Sequence, residues 1–281
     1  MQHKIIDGNL QSKVLRDQIQ SEIIRLNIKP KLSIILIGNN PASQIYVKIK
    51  MKRAHEVGIE VIMHIFDESV TNLQLLQCIA SLNDDQSIHG ILLQMPLPLH
   101  IDKNNLLQMI SPDKDVDGFS PVNIGKLYSN IDGFIPCTPL GIMHLIKSVR
   151  SDISGLRATI IGRSNIVGRP VAELLLQQDC TVTIVHSKSH NIAQDTKKSD
   201  IIIAAVGIPK LVKREFINPG AIVIDVGINK IQSQIVGDVD FDDVIDLVSY
   251  ITPVPGGVGP MTVAHLLSNT LRALKLTLMD K

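Results

Sequence analysis

Short runs of β-branched and aliphatic residues alternate along the chain with longer segments whose apolar positions recur at helical spacing. KLSIILIG (31–38), IEVIMHIF (59–66), IHGILLQ (88–94), RATIIG (157–162), TVTIVH (181–186), DIIIAAV (200–206) and AIVIDVG (221–227) read as strands. Most are continuous apolar runs rather than alternating ones, the pattern of parallel strands covered on both faces. Segments 9–26, 42–57, 72–83 and 169–178 read as helices, and the alternation predicts an α/β fold with parallel sheets. The rhythm breaks between residues 95 and 140, a stretch rich in Pro, Gly, Asp and Asn. It is expected to close a first domain and cross into a second, whose sheet begins near Arg157. A last helix is expected over about 262–276, capped by Thr262, and the sequence leaves open which domain it packs on.

Composition narrows the function classes. The 281 residues suit two domains, and 44% hydrophobic with 20% charged residues is ordinary for a soluble enzyme. A net charge of +1 gives no global field toward nucleic acid or membrane. With no Trp and 3% aromatics there is little to stack on bases. Neither a nucleic-acid nor a membrane partner is expected. Cys78, Cys137 and Cys180 are scattered without a C-x-x-C pair, which fits buried thiols in a reducing compartment. No apolar run approaches the ~18–20 residues of a membrane span, and MQHKIIDGNLQSKV turns polar at once, unlike a secretory signal. The expected location is the cytoplasm.

The segment IGRSNIVGRP (161–170) places Gly162 at the end of a strand and Gly168 at the start of a helix. The N–H groups of such a helix start suit an anionic ligand. The loop is no Walker A motif, because five residues separate the glycines and Arg169 follows. It departs from G-x-G-x-x-G at Ser164 and Val167, so by itself it also fits a plain strand–turn–helix. The next strand ends in His186-Ser187-Lys188, with no carboxylate for an adenine ribose. Arg163 and Lys188 offer cations, and Ser164 and Ser187 hydroxyls, which favours NADP over NAD.

Other candidates are scattered. Asn40 can cap a helix, Pro41 suits its first turn and Gly58 its end. On that helix Tyr46 and Lys50 share a face, although Lys48, Lys50, Lys52 and Arg53 also read as a solvated basic face. Gln94 closes an apolar strand, where ligands of open α/β sheets bind. In PDKDVDGF, Asp113, Asp115, Asp117 and Gly118 imitate a calcium loop, but its twelfth position is Ile124 and Pro112 precedes it. GDVDFDDV (237–244) fails likewise at Asp243, so no metal site is expected. Asp117-Gly118 is then a plain turn or a displayed carboxylate. The histidines form no metal-binding pair and read as structural or solvated. TPVPGGVGP packs three prolines and three glycines ahead of the last helix, as backbone shaped for close approach to a ligand would.

In this order YVKIK, GILLQMPLPLH, PDKDVDGFSPVNIGKL, FIPCTPLGI, IIGRSNIVGRPVAELL, VIDVGIN, GDVDF and ITPVPGGVGPMTVAHLL resemble the bifunctional methylenetetrahydrofolate dehydrogenase/methenyltetrahydrofolate cyclohydrolase family. The resemblance runs from residue 4 to residue 275. It implies two α/β domains around a cleft: an N-terminal catalytic domain over 1–138, joined by the C-terminal helix 262–281, and a Rossmann NADP-binding domain with a parallel sheet over 139–261. It implies a homodimer acting on tetrahydrofolate derivatives. The activity would be NADP-dependent oxidation of 5,10-methylenetetrahydrofolate, then hydrolysis to 10-formyltetrahydrofolate. By the same resemblance Tyr46 stacks on the folate, Lys50 serves the cyclohydrolase step, Gln94 tunes that lysine and Asp117 anchors the pterin. Gly162, Arg163, Ser164, Ser187 and Ile228 match NADP contacts, and the loop with Pro255, Gly256, Gly257 and Thr262 lines the folate and nicotinamide end. The chain departs from many relatives at Ser120, where they carry His, and in reading HSKS rather than HSKT. The alternatives are another two-domain NADP dehydrogenase, or a folate enzyme with one of the two activities.

Overall fold

The computed structural model describes residues 2–232 and 234–279. Met1, Ser233, Asp280 and Lys281, which fall in the expected domain ranges, lie outside the described residues. The chain forms two compact units, one of Lys13–Cys137 with Val263–Lys281, the other of Met1–Ser12 with Thr138–Thr262.

The first unit follows α1 (Gly8–Leu26) with β1 (Lys31–Ile37), α2 (Pro41–Val57), β2 (Glu60–Phe66), α3 (Asn72–Asp84), β3 (Gly90–Leu93), α4 (Lys103–Met109) and α5 (Pro121–Tyr128). Its three strands are parallel in the order β2-β1-β3. The central strand is apolar from Leu32 to Ile37 except at the buried Ser33, because both of its faces are covered. Leu32, Ile34 and Leu36 pack into one core with Val47 and Ala54 of α2, while Ile35 and Ile37 join Leu75 and Ile79 of α3 in another. Burying each such aliphatic side chain contributes roughly 1.5–3 kcal/mol, which is why the strand shows no regular polar alternation. Helix α2 starts as its sequence signals: Asn40 accepts from the Ser43 N–H, Pro41 follows, and Gly58 closes the helix at φ 88°.

The other unit contains α6 (Cys137–Val149), β4 (Arg157–Ile161), α7 (Gly168–Leu176), β5 (Thr181–Val185), α8 (Ile192–Thr196), β6 (Ile201–Ala204) and β7 (Ile222–Asp225). It continues with the hairpin β8 (Asn229–Ile231) and β9 (Gln234–Val236), then α9 (Phe241–Val244) and β10 (Tyr250–Ile251). Five parallel strands run in the order β10-β7-β6-β4-β5. The chain order reverses between β4 and β6, so the carboxyl ends of those two strands flank the crevice where doubly wound sheets bind ligands.

The stretch 95–140 holds α4, α5 and the start of α6. One expectation is corrected. The last helix, α10 (Val258–Met279), begins before Thr262, which therefore is not its cap. The Thr262 hydroxyl instead donates to the Val258 carbonyl at 3.3 Å and meets the Thr138 hydroxyl at 3.0 Å. The chain's last question also has an answer: Leu266, Leu267, Leu271 and Leu274 of α10 fill the core beneath β1 and α2.

Candidate active site

In the three-stranded unit, α2 carries Tyr46 and Lys50 one turn apart. Its buried residues Ser43, Val47, Ala54 and Val57 turn the helix so that Lys50 is half-buried while Lys48 and Lys52 stay in solvent. The solvated reading therefore holds for those two lysines and not for Lys50. Lys50 Nζ donates to Gln94 Oε1 at 2.9 Å, and Gln94 Nε2 donates to the Met95 carbonyl at 2.6 Å. Gln94 is buried one residue beyond β3, where its backbone N–H still bonds the Ile35 carbonyl at 2.9 Å. Burial pulls the Lys50 ammonium below the usual lysine range, and the charge of Asp117 partly opposes this.

The turn that presents Asp117 braces itself. Lys114 Nζ donates to the carbonyls of Leu82 (2.9 Å), Asn83 (2.6 Å) and Asp85 (2.8 Å) around the end of α3. Asp115 accepts from the Phe119 and Ser120 N–H groups and from Asn123 Nδ2, so its two oxygens are spent on fixing the turn. Gly118 sits at φ 73°, and a Cβ there would lie 2.6 Å from the Ile135 carbonyl carbon and from Pro136 N. Ser120 caps α5 by accepting from the Asn123 N–H. Asp117 is thus held beside Lys50, and burial raises its carboxyl to about 6 despite the lysine's charge.

Two members of this group were not legible as such. Cys137 is buried and donates to the Val116 carbonyl at 3.3 Å, and burial, with the charge of Asp117 adding to it, lifts its thiol well above the ordinary value. Asn269 of α10 donates to the carbonyls of Val116 (2.9 Å) and Ile135 (3.2 Å), tying down both segments that flank the cysteine. The PCTP motif was the available signal for Cys137; nothing near Asn269 in the chain signals its partners. Among the described residues, no group of three or more His, Cys, Asp or Glu side chains could hold a metal ion.

In the five-stranded unit, the loop from Gly162 to Gly168 folds tightly at the end of β4. A Cβ on Gly162 (φ 124°) would collide with the Ala205 carbonyl, and one on Gly168 with the Gly162 carbonyl. Ser164 Oγ accepts from the N–H groups of Val167 (3.1 Å) and Gly168 (3.3 Å), so its lone pairs serve the loop itself and its proton remains for a ligand. Arg163, Ser187 and Lys188 are exposed beyond β4 and β5, and Ile228 is exposed beyond β7. This glycine cradle opening onto the nine-residue α7, with two cations nearby, fits a nucleotide carrying a 2′-phosphate. The Pro255–Gly257 turn ahead of α10 lies close against the backbone of Gly8 and Asn9: the Gly256 carbonyl accepts from the Asn9 N–H at 3.1 Å, and a Cβ on Gly8 would overlap the Gly257 carbonyl oxygen.

Residues 6–117 match the model of the tetrahydrofolate dehydrogenase/cyclohydrolase catalytic domain, and residues 136–278 that of the NAD(P)-binding domain. The chain belongs to the tetrahydrofolate dehydrogenase/cyclohydrolase family. Within the family it is 50% identical over 276 residues to the bifunctional protein FolD of Listeria innocua, covering 97% of both chains. It is 51% identical over 279 residues to that of Rickettsia rickettsii, again with 97% of each covered. Its fold matches the bifunctional FolD structure from Campylobacter jejuni with a TM-score of 0.95 at 46% identity, covering 97% of this chain and 99% of the other. The Trypanosoma brucei FolD, solved with NADP and an inhibitor, matches at a TM-score of 0.93 and 39% identity over 98% of each chain. Membership of the family makes the chain a bifunctional enzyme of one-carbon metabolism, with a catalytic and an NAD(P)-binding domain.

Proposed function

We propose that the chain oxidises 5,10-methylenetetrahydrofolate with NADP and hydrolyses the resulting methenyl cation to 10-formyltetrahydrofolate, with Tyr46, Lys50, Gln94 and Asp117 as its folate-site residues. The observation that carries this reading is the Lys50–Gln94 hydrogen bond of 2.9 Å beside a half-buried Asp117. NADP, when bound, accepts the hydride. The chain's own task in that step is positioning, because the two nitrogens flanking the reacting carbon stabilise the cation by themselves. Tyr46 offers a ring face to the pterin, and the Asp117 carboxylate accepts its N–H groups. In the hydrolysis, water adds to the cationic carbon and one proton passes to the neutral Lys50 amine. That proton returns to N5 as its bond to carbon breaks, and the hydroxyl proton leaves as the formyl C=O forms. Burial shifts the lysine toward the neutral amine that this step uses. Gln94, as a neutral acceptor, orients it.

Gly162, Arg163, Ser164, Ser187 and Ile228 would hold NADP, and the absence of a carboxylate at 186–188 supports NADP over NAD. Pro255, Gly256 and Gly257, with Thr262 near the start of α10, are assigned to the folate and nicotinamide end. The functional division follows 1–138 with 262–281 and 139–261, although residues 1–12 pack with the second group. A homodimer is supported by β5, an edge strand exposing Thr181, Thr183 and Ile184. A cytoplasmic location is supported by three free thiols.

The test is Lys50→Met assayed for both activities. Cyclohydrolase turnover is expected to fall about 10²–10⁴-fold while NADP reduction persists in part. Equal loss of both would make the lysine a substrate-holding group instead.

A further inference from the structure

Two buried carboxylates in the five-stranded unit take no part in the chemistry above. Asp225 ends β7 and Asp238 follows β9, and they are 3% and 0% exposed. Asp225 Oδ1 accepts from the N–H groups of Gly227 (3.0 Å) and Asp238 (2.9 Å), and Oδ2 from that of Val239 (2.9 Å). Asp238 Oδ2 accepts from the N–H groups of Val206 (2.7 Å) and Gly207 (2.9 Å), and Oδ1 from Asn229 Nδ2 (2.8 Å). The two segments interlock: a Cβ on Gly237 would overlap the Asp225 carboxylate, and one on Gly227 the Asp238 carboxylate. The Asp225 N–H donates to Thr252 Oγ1 at 2.8 Å, which brings in the end of β10.

Among the described residues neither carboxylate has a cation at salt-bridge distance, apart from the shared field of dipoles. Burial, with the charge of Asp238 adding to it, pushes Asp225 up to about 6. Two like charges buried together carry a desolvation cost that packing alone does not require. Their contacts show what they hold. Val206 and Gly207 open the loop after β6, Gly227 leads directly to Ile228 after β7, and the Ala205 carbonyl is the atom against which Gly162 is seated. The brace therefore sets both loops around the crevice and the surface on which the glycine cradle rests.

We propose that Asp225 and Asp238 are positioning residues for the nicotinamide cofactor, fixing the loops after β6 and β7 against the Gly162 loop through backbone N–H contacts. This rests on the reading of that loop as the NADP site. Only a carboxylate can accept three N–H groups on two oxygens, so the isosteric amide at 225 must leave one donor facing another. At 238 the amide is tolerated, because Asn229 can turn its own amide over and accept from it.

The experiment measures the Kd of the full-length protein for NADPH by fluorescence, beside cyclohydrolase turnover with methenyltetrahydrofolate supplied directly. Asp225→Asn and Asp238→Ala are each expected to raise the Kd about tenfold or more while cyclohydrolase turnover stays within about twofold. Asp238→Asn should recover most of the affinity lost in Asp238→Ala. An unchanged Kd in folded Asp225→Asn, or loss of both properties in parallel with melting temperature, would overturn the proposal. If Asp225→Asn does not fold, the two Asp238 variants decide, and equal weakening by Ala and Asn refutes the hydrogen-bonding role. A wild-type protein that binds no NADPH would instead refute the cofactor reading.

Discussion

Lys50 and Gln94 meet in a single hydrogen bond of 2.9 Å, the lysine donating and the glutamine carbonyl oxygen accepting. The glutamine's own NH2 is held by the Met95 carbonyl at 2.6 Å, so the acceptor cannot swing away. Its neutrality matters, because burial lowers the lysine's affinity for protons and a neutral partner leaves that shift in place. Gln94→Glu puts a carboxylate there, which favours the ammonium form. Cyclohydrolase turnover at neutral pH is expected to fall at least about tenfold, with the rise toward alkaline pH displaced upward. A pH–rate profile identical to wild type would show that Gln94 does not govern the lysine's protonation.

Asp117 gives a prediction for stability. Its folded-state value of about 6 lies above the 3.8 of an ordinary aspartate, so the folded chain takes up this proton more readily than the unfolded one. Its contribution to stability is therefore lost, not gained, as pH rises from about 4 to about 6. Asp117→Asn should raise thermal stability at pH values above about 6, by on the order of 1–2 kcal/mol, and weaken folate binding. The stability advantage should shrink to nothing as pH is lowered toward about 4. An advantage constant across that range would assign the effect to another group.

Gly162→Ala adds a Cβ that overlaps the Ala205 carbonyl at φ 124°. The loop must shift away from β6, and the KM for NADP is expected to rise more than about tenfold. Cyclohydrolase turnover, which we assign to side chains of the other unit, should persist. Parallel loss of both activities would mean that the glycine serves folding alone.

Lys114→Met leaves three carbonyls around the end of α3 without their donor. Destabilisation of roughly 2–4 kcal/mol is expected in denaturant unfolding, with Lys50 chemistry retained in the folded fraction. A change below about 0.5 kcal/mol would show that solvent replaces the ammonium.

What could be read in the sequence follows from where the deciding contacts lie. The strands were legible because both faces of β1, β3, β6 and β7 are buried, which makes their runs almost wholly apolar. The start of α2 was legible because Asn40, Pro41 and Gly58 act within a few residues of themselves. Helices α4 and α5 were missed because each is a turn or two long and too short for a periodic signal, although Asp102 and Ser120 cap them. Thr262 was misjudged because α10 begins inside a Gly/Pro-rich loop. Cys137 reads in the sequence only as one of three scattered thiols, because Asp117 and Lys50, whose charges act on it, lie in distant parts of the chain.

The last helix has a consequence for the order in which the protein matures during synthesis. The strands of the three-stranded unit emerge first, yet Leu266, Leu267, Leu271 and Leu274, which fill its core, are translated last. At roughly 5–20 residues per second, those strands wait many seconds with an apolar face uncovered. The five-stranded sheet, complete by Ile251, can close before them. The half of the protein written first is therefore the half whose core closes last.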